Sequence, residues 1–504
     1  MTRQRLGALL GVLATLALVL APGYLWLHSR TPSTYSVMDM GYADYGGGHR
    51  VADPGMAGMT GTAGTGAHAS HAAVSVADLT GPTGRRPDRV FDLTARRGTV
   101  RLPSGRTIDG YTVNGTSPGP LVEVTEGQLV QVRLHNADVA DGITLHWHGV
   151  DVPNAEDGVV GVTQDAVMPG GEHTYRFVAR DAGTYWYHSH QVSHEQVVRG
   201  LLGPLVVLPR AAGPADSRVA DVVALLHTYD GVATLGGRSQ LSVHARPGQQ
   251  VRVRVINTDN GPTRAWASVP YRVVAVDGHD VHQPPDVSDR ATIVTAGGRE
   301  DLEVVAPEDG SAARVQVGAA TSVVVGPPGA AAPAPPPPPQ RVLDLLSYGR
   351  PAPIGFDPAA ADRHFRYDIG RRAGFVRGRP GLWWSVNGHL FPHLPTYVVE
   401  EGDVVQVRIH NGSGDVHPMH LHGHHAVVLS RNGVRATGSP WWFDSLNVED
   451  GATYVMAFVA DNPGIWMDHC HNLTHAQQGL VTHLVYAGVS EPYRVGGDRH
   501  NEPE

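Results

Sequence analysis

The sequence is nearly devoid of cysteine: among 504 residues there is one, Cys470, so no intrachain disulfide can form. Positive charge is also in short supply. Lys+Arg number 39 against Asp+Glu 48, a formal net charge of -9, which argues against a nucleic-acid partner. Sustained helical periodicity is missing as well. Its place is taken by short alternating runs between turn signals, with 61 Gly and 38 Pro, the pattern of β-sandwich or barrel domains. An apolar share of 41% excludes disorder of the whole chain, and the length allows two to four domains. Histidine runs the other way, with 29 copies. Such an excess suggests a demand for imidazole.

The N-terminus carries the one long apolar run. Arg3 and Arg5 precede residues 6–27, which hold no charge, and about 20 apolar residues suffice to cross a bilayer as a helix. Arginines on the short side predict that end inside and the remainder outside. The expectation is a membrane anchor over residues 1–28 with the rest exported. The alternative is a cleaved signal peptide, for which Val19-Leu20-Ala21 is the best small-residue site, although Pro22 after it is a poor place to cut. Residues 29–87, rich in Gly, Ala, Thr and Ser, read as a flexible stalk. It holds Met38, Met40, His49, Met56, Met59, His68 and His71. These suit a weak copper-gathering tether or simply decorate a solvated linker.

From Val90 onward the chain repeats itself. The run 126–136, from Glu126-Gly127 to His135-Asn136, recurs at 401–411, from Glu401-Gly402 to His410-Asn411. A looser copy occupies 247–257, from Pro247-Gly248 to Ile256-Asn257. Each starts on a turn pair and continues as an alternating strand. Three copies so widely spaced imply three similar β domains, placed at 88–210, 215–326 and 341–488. The proline-rich residues 327–340 form a semi-rigid linker, and 489–504 a C-terminal tail. A second segment, 182–190, ending His188-Ser189-His190, matches 463–471, ending His469-Cys470-His471. The middle domain's counterpart, within 310–318, has no histidine. Domains one and three share a task that the middle one lacks.

Four histidine clusters stand out: His146-Trp147-His148, His188-Ser189-His190, His417-Pro418-Met419-His420-Leu421-His422, and His469-Cys470-His471 with His475. Chance alone yields about two His-x-His pairs at this composition. Here the pairs fall at corresponding places in two repeated domains. Alternate side chains of a strand share one face. His469 and His471 can therefore reach one metal cluster while Cys470 points to another metal. A thiolate with two imidazoles and a weak or absent axial donor is the ligand set of a blue-copper centre, and His417, Cys470 and His475 fit it. A structural zinc site would not need so many imidazoles. His194, His227, His244 and His282 lie outside the pattern and read as ordinary histidines.

On these clusters the sequence, from about Val90 to Tyr486, resembles the multicopper oxidases, the laccase-like family of cupredoxin-fold proteins. The resemblance implies an all-β chain of three cupredoxin-like Greek-key domains carrying four coppers. It implies His417, Cys470 and His475 on the type 1 copper, and His146 and His420 on type 2. His148, His188, His190, His422, His469 and His471 would hold the type 3 pair. Substrate electrons would enter at type 1, pass through Cys470 and its flanking histidines, and reduce O₂ to water between domains one and three. The axial position falls on Leu480, which cannot donate to copper, so the type 1 potential should be high. Where many members have a glutamate after the last type 1 histidine, this chain has Ala476, which puts that proton route in doubt. The family's acidic residue near the oxygen site falls on Asp157, a candidate for proton delivery or a turn residue before Gly158. Asp415, Trp441, Trp442 and Asp444 flank the type 1 ligands and could shape a substrate rim; the alternative is packing for the tryptophans and turn or hydrogen-bond roles for the acids. The leading reading is a laccase-type oxidase of phenols. Its rivals are a metallo-oxidase for Cu(I), Mn(II) or Fe(II), and a copper electron carrier without O₂ turnover, against which the paired type 3 histidines argue.

Overall fold

The computed structural model describes Leu18, Leu20 and residues 22–48, 74–210 and 219–504. The repeated runs become the central strands of three β-sandwiches. In Leu129–Asn136, Val130, Val132 and Leu134 are buried while Arg133 is exposed, the period of two that a half-buried strand requires. Val404–Asn411 repeats the design, whereas Gln250–Asn257 alternates only at its start and buries both faces from Val253 onward. Each of the three lies between one parallel and one antiparallel neighbour. Leu129–Asn136 sits between Arg89–Arg101 and Glu172–Val178, and Gln250–Asn257 between Ala220–Tyr229 and Arg299–Val305. Val404–Asn411 sits between Arg363–Val376 and Thr453–Val459.

Each unit closes over its own core. In the first, Leu93, Val130 and Val132 from one sheet meet Trp147, Tyr185 and Leu205 from the other. The Trp147 ring is fully buried and packs at 5.0 Å from Phe177 and 5.3 Å from Tyr175. Truncating such a side chain to alanine costs on the order of 3–5 kcal/mol, and here it would also loosen the two histidines beside it. A smaller apolar cluster, containing Trp186, Leu225, Ile256 and Leu473, joins all three units.

Several expectations about the connecting segments need correction. The stalk over 29–87 is not a free tether where it is described. Thr34–Tyr35 pairs with Val495–Gly496, Tyr42–Asp44 with Pro395–Tyr397, and Val74–Ser75 with Val489–Ser490. Val37, Met38 and Val76 are buried in the third core. Strands two or three residues long show no period, and their pairing is made by backbone groups that composition does not reveal. His49, Met56, Met59, His68 and His71 lie outside the described residues. So does most of the expected span at 6–27; among the described residues no helix is long and apolar enough to cross a membrane.

The linker 327–340 lies against the middle unit, where Arg314 Nε and Trp266 Nε1 donate to the carbonyls of Pro333 and Pro336 at 2.8 and 3.2 Å. Residues assigned to the start of domain three stay with the middle unit too. Arg341–Val342 pairs with its strand Arg290–Val294, and Tyr348 enters its core. The residues 489–504 are no loose tail. They contribute the short strands above and bind the first unit, with Gln191 Nε2 donating to His500 O at 2.8 Å and Ser193 Oγ to Glu504 O at 3.0 Å.

Candidate metal centre

Strand register brings the histidine clusters together. In the first unit His146–His148 pairs with Gly183–His188, placing His188 opposite His146. In the third, His417–Leu421 pairs with Ile465–Cys470, placing His420 opposite His469 and Met419 opposite Cys470. Alternation then divides each strand. Trp147 enters the core, whereas His146 and His148 meet the histidines of the other unit. A short helix, Leu473–Gln477, follows His471 and presents His475.

Cys470, His417 and His475 form one buried group. The Sγ lies 3.6 Å from His417 Nδ1 and 3.7 Å from His475 Nδ1, and the two Nδ1 atoms are 3.2 Å apart. The far nitrogens are engaged: His417 Nε2 with Ser413 Oγ at 2.8 Å, His475 Nε2 with the Asn472 side-chain amide at 3.2 Å. Burial, and then the neighbouring His475, push the His417 pKa down to about 3, which keeps the imidazole neutral as a ligand must be. Burial raises the Cys470 thiol. A soft metal ion reverses this by taking the thiolate directly.

Eight further histidines converge across the interface between the first and third units in three groups. His190 joins His422 and His469, while His148 joins His188 and His471. Each of these triads takes two members from one unit and one from the other. His146 and His420 face each other, Nε2 to Nε2, at 3.4 Å. Burial lowers the pKa of His148, His188, His190, His422, His469 and His471 well below the ordinary value, reinforced by repulsion among the rings. The cluster is a set of neutral imidazoles with lone pairs turned inward.

The outward nitrogens explain why. His146 Nδ1 meets the Asp157 carbonyl at 3.0 Å and His420 Nδ1 the Asp444 carbonyl at 2.9 Å. His188 Nδ1 meets Ser189 O at 2.9 Å, and His469 Nδ1 meets Cys470 O at 3.2 Å. A carbonyl can only accept, so these rings carry the proton on Nδ1 and leave Nε2 bare. His188 Nε2, His148 Nδ1 and both nitrogens of His190 and His471 are buried without a hydrogen-bond partner. Buried polar atoms are rarely left so. Metal coordination would satisfy one nitrogen on each of these rings.

Residues 94–212 and 361–488 each match a family model described as multicopper oxidase. The chain is 27% identical over 499 residues to Laccase-2 of Botryotinia fuckeliana, covering 81% of this chain and 83% of that protein. It is 25% identical over 456 residues to the iron transport multicopper oxidase fetC of Epichloe festucae (strain E2368), covering 74% and 72%. The crystal structure of a multi-copper oxidase from Pseudomonas Thermotolerans matches the fold with a TM-score of 0.66 at 27% identity, covering 80% of this chain and all of that one. The chain belongs to the multicopper oxidase family.

The oxidase is thus a copper-dependent oxidoreductase with cupredoxin-like units, and the family complement is four coppers of types 1, 2 and 3. The orphaned imidazole nitrogens fit that complement. Leu480, at the expected axial position, is fully buried in the third core next to the Cys470 loop, and its carbonyl accepts from Cys470 N at 3.1 Å. Ala476 is buried and apolar. Asp157 is buried; its carboxylate lies 3.0 Å from His146 Nδ1 and 3.1 Å from His422 Nδ1, so it contacts both rings from outside the cluster.

Asp444 is not on a substrate rim. It is fully buried beside the histidine cluster, 3.2 Å from His148 Nε2 and paired with Arg299. Trp442 lines a cleft at the junction of the three units, with His279, His425, Asp151 and Phe356, and Trp441 packs against the second and third cores. Asp415 stays near the cysteine group, 3.8 Å from Arg371. Three contributors escaped the sequence reading. Trp384 packs against His475 at 4.4 Å, tilted, and against His417 at 4.6 Å, edge-on, and is capped by Arg371 at 4.0 Å. His425 bridges Asp151 and Asp444 at 3.4 and 3.3 Å. Arg299 comes from the histidine-free middle unit. Only the doubled His424-His425 after the cluster offered any signal for these. Of the outlying histidines, His194 pairs with Glu504, His227 binds Thr258 and His282 binds Arg350 O.

Proposed function

We propose that this oxidase is laccase-like, taking single electrons from phenol-like aromatics at His417, Cys470 and His475 and delivering them to O₂ at the histidine cluster. His146 and His420 would hold the type 2 copper. His148, His188 and His471 would hold one type 3 copper, and His190, His422 and His469 the other. When bound, the four coppers supply one-electron acceptance at the first site and four-electron reduction of O₂ to water at the second.

The observation that carries the reading is the placement of Cys470. Its side chain belongs to the His417–His475 group, while its sequence neighbours His469 and His471 belong to the two triads. The end of one strand is therefore the covalent path between electron entry and oxygen in this reading. Asp157 orients His146 and His422 and stands ready to hold a proton beside the oxygen site. The aromatic preference is supported by the Trp384 indole and its Arg371 cap over the entry histidines, and by Leu480, whose apolar side chain favours a high potential. Export, with residues 6–27 as anchor or leader, is supported by the charge pattern of the sequence.

The competing reading is a metallo-oxidase, because the relatives include one named for laccase and one named for iron transport. The test is to load the purified chain with copper, count the ions, and compare O₂ uptake with a phenol, with Cu(I), with Mn(II) and with Fe(II). Four coppers, intense blue absorption and uptake highest with the phenol are expected. One copper per chain, or absence of the blue band, ends the assignment; uptake highest with a metal ion ends the aromatic preference alone.

A further inference from the structure

The middle unit has no cluster histidine, yet it reaches the oxygen site through two side chains and one loop. Arg299 is fully buried. Its Nη1 donates to Asp444 Oδ1 at 2.7 Å, its Nη2 lies 2.6 Å from Asp444 Oδ2, and its Nε donates to Thr184 O at 2.9 Å. One guanidinium thus binds all three units. Asp277, also of the middle unit, accepts from Arg299 N at 2.8 Å through Oδ1. Through Oδ2 it accepts from the amides of Ser445 and Asp444 at 3.2 and 3.3 Å.

The carboxylate held this way does a task that none of the carbonyls does. Asp444 Oδ1 is 3.2 Å from His148 Nε2, and Ser445 Oγ is 3.1 Å from the same atom while donating to Asp444 at 3.0 Å. With Ser445 giving its proton to Asp444, its oxygen and the carboxylate both accept. The imidazole proton of His148 is then held on Nε2, the reverse of His146, His188, His420 and His469. Nδ1, the nitrogen without a partner, is the one left to face His188 and His471. The other charged group on Asp444 is His425, at 3.3 Å.

A second, independent contact comes from Gly297. A Cβ on this residue would lie 2.8 Å from the His471 ring and 2.9 Å from the His148 ring. The middle unit's backbone is the wall behind these two rings, and Trp186 Nε1 ties it in place by donating to Gly297 O at 3.0 Å.

We propose that the middle unit is a working part of the oxygen site, in which Arg299 and Asp277 clamp Asp444 so that His148 offers Nδ1, and Gly297 seats His148 and His471. Arg299, Asp277 and Gly297 are positioning residues. They act on one triad, His148–His188–His471, and leave the other to Asp157. The inference rests on the copper assignment above, which the wild-type copper count tests separately.

The experiment uses the full copper-loaded chain with Gly297→Ala, Arg299→Gln and Arg299→Lys. Copper retention is measured against a graded chelator, alongside blue absorption and electron paramagnetic resonance. Loss of an orienting partner weakens metal binding by about 10–100-fold. One type 3 ion should leave at that lower chelator strength in Gly297→Ala and Arg299→Gln. Its former partner, no longer coupled, should then give a new paramagnetic signal, with the blue band unchanged. Arg299→Lys, which keeps the charge, should recover part of the affinity. Gly297→Ala keeps the test alive if an arginine variant does not fold. Retention within twofold of wild type in the folded variants, or equal loss of all four ions including the blue one, overturns the proposal.

Discussion

The first and third units carry the same loop with different contents. After the paired strands, His188-Ser189-His190 runs into the short helix Ser193–Gln196 as His469-Cys470-His471 runs into Leu473–Gln477. His194 stands four residues after His190, as His475 stands four after His471. Ile143 stands three before His146, as His417 stands three before His420. Where the third unit has His417, Cys470 and His475, the first has Ile143, Ser189 and His194. Ser189 Oγ donates to Gln196 Oε1 at 2.6 Å, and His194 is turned to Glu504. The difference shows that one backbone can carry a thiol–imidazole group fit for a metal ion or none. What decides is a soft thiolate and two inward imidazoles, because copper discriminates by ligand softness. The cluster histidines, common to both units, come together from two matching halves.

The comparison can be broken most severely by Cys470→Ser, which gives the third unit the first unit's residue. Blue absorption and phenol-driven O₂ uptake should fall to background while the other three ions remain, as read by metal analysis. Asp157→Asn comes next. It leaves the first unit's orienting carbonyl but alters the carboxylate facing His146 and His422, and O₂ reduction should slow by about 10–100-fold with copper content intact. Wild-type turnover would remove Asp157 from the proton route.

A third test concerns Asp151 and His425, which occupy matching positions three residues after His148 and His422 and pair across the interface. Burial opposes the His425 charge, but Asp151 and Asp444 overcome it and push its pKa up to about 10. A raised histidine stabilises fully below its unfolded value of 6.5 and loses that contribution as pH climbs through about 10. His425→Gln should erase this alkaline decline, on the order of a few kcal/mol, in denaturant titrations across that window. An unchanged slope would assign the decline elsewhere.

Smaller still, Leu480→Met should lower the type 1 potential by adding a thioether near the copper. A redox titration reading the same or a higher potential counts against the axial position. Least of all, His194→Ala should leave copper count and turnover at wild-type values, since its counterpart role exists only in the third unit. Lost copper there would mean that the first unit's loop is not the inert copy described here.

Much of the site was legible before any fold was known, because its ligands come in pairs. His146 and His148, or His469 and His471, are two apart, and a strand's alternation puts such pairs on one face. Asp157 and Leu480 were reachable only through the family resemblance. Of the two readings open for Asp444, the hydrogen-bonding role stands and the substrate rim does not, since flanking in sequence is not flanking in space. Trp384, Arg299 and Asp277 gave no signal, being single residues on strands and loops far from the histidines. The short strands of 34–44 and 74–75 were invisible for another reason: backbone pairing at a sheet edge asks little of side chains.

The sequence by itself determined the metal chemistry, the number of β units and which two of them share the cluster, because ligand type and spacing are local properties. Only the tertiary structure decided which nitrogen of each imidazole is free, and that the middle unit takes part. Those depend on how nearby carbonyls are turned toward the rings, and on carboxylates and a guanidinium brought into contact by chain segments more than a hundred residues apart, as Arg299 and Asp444 are.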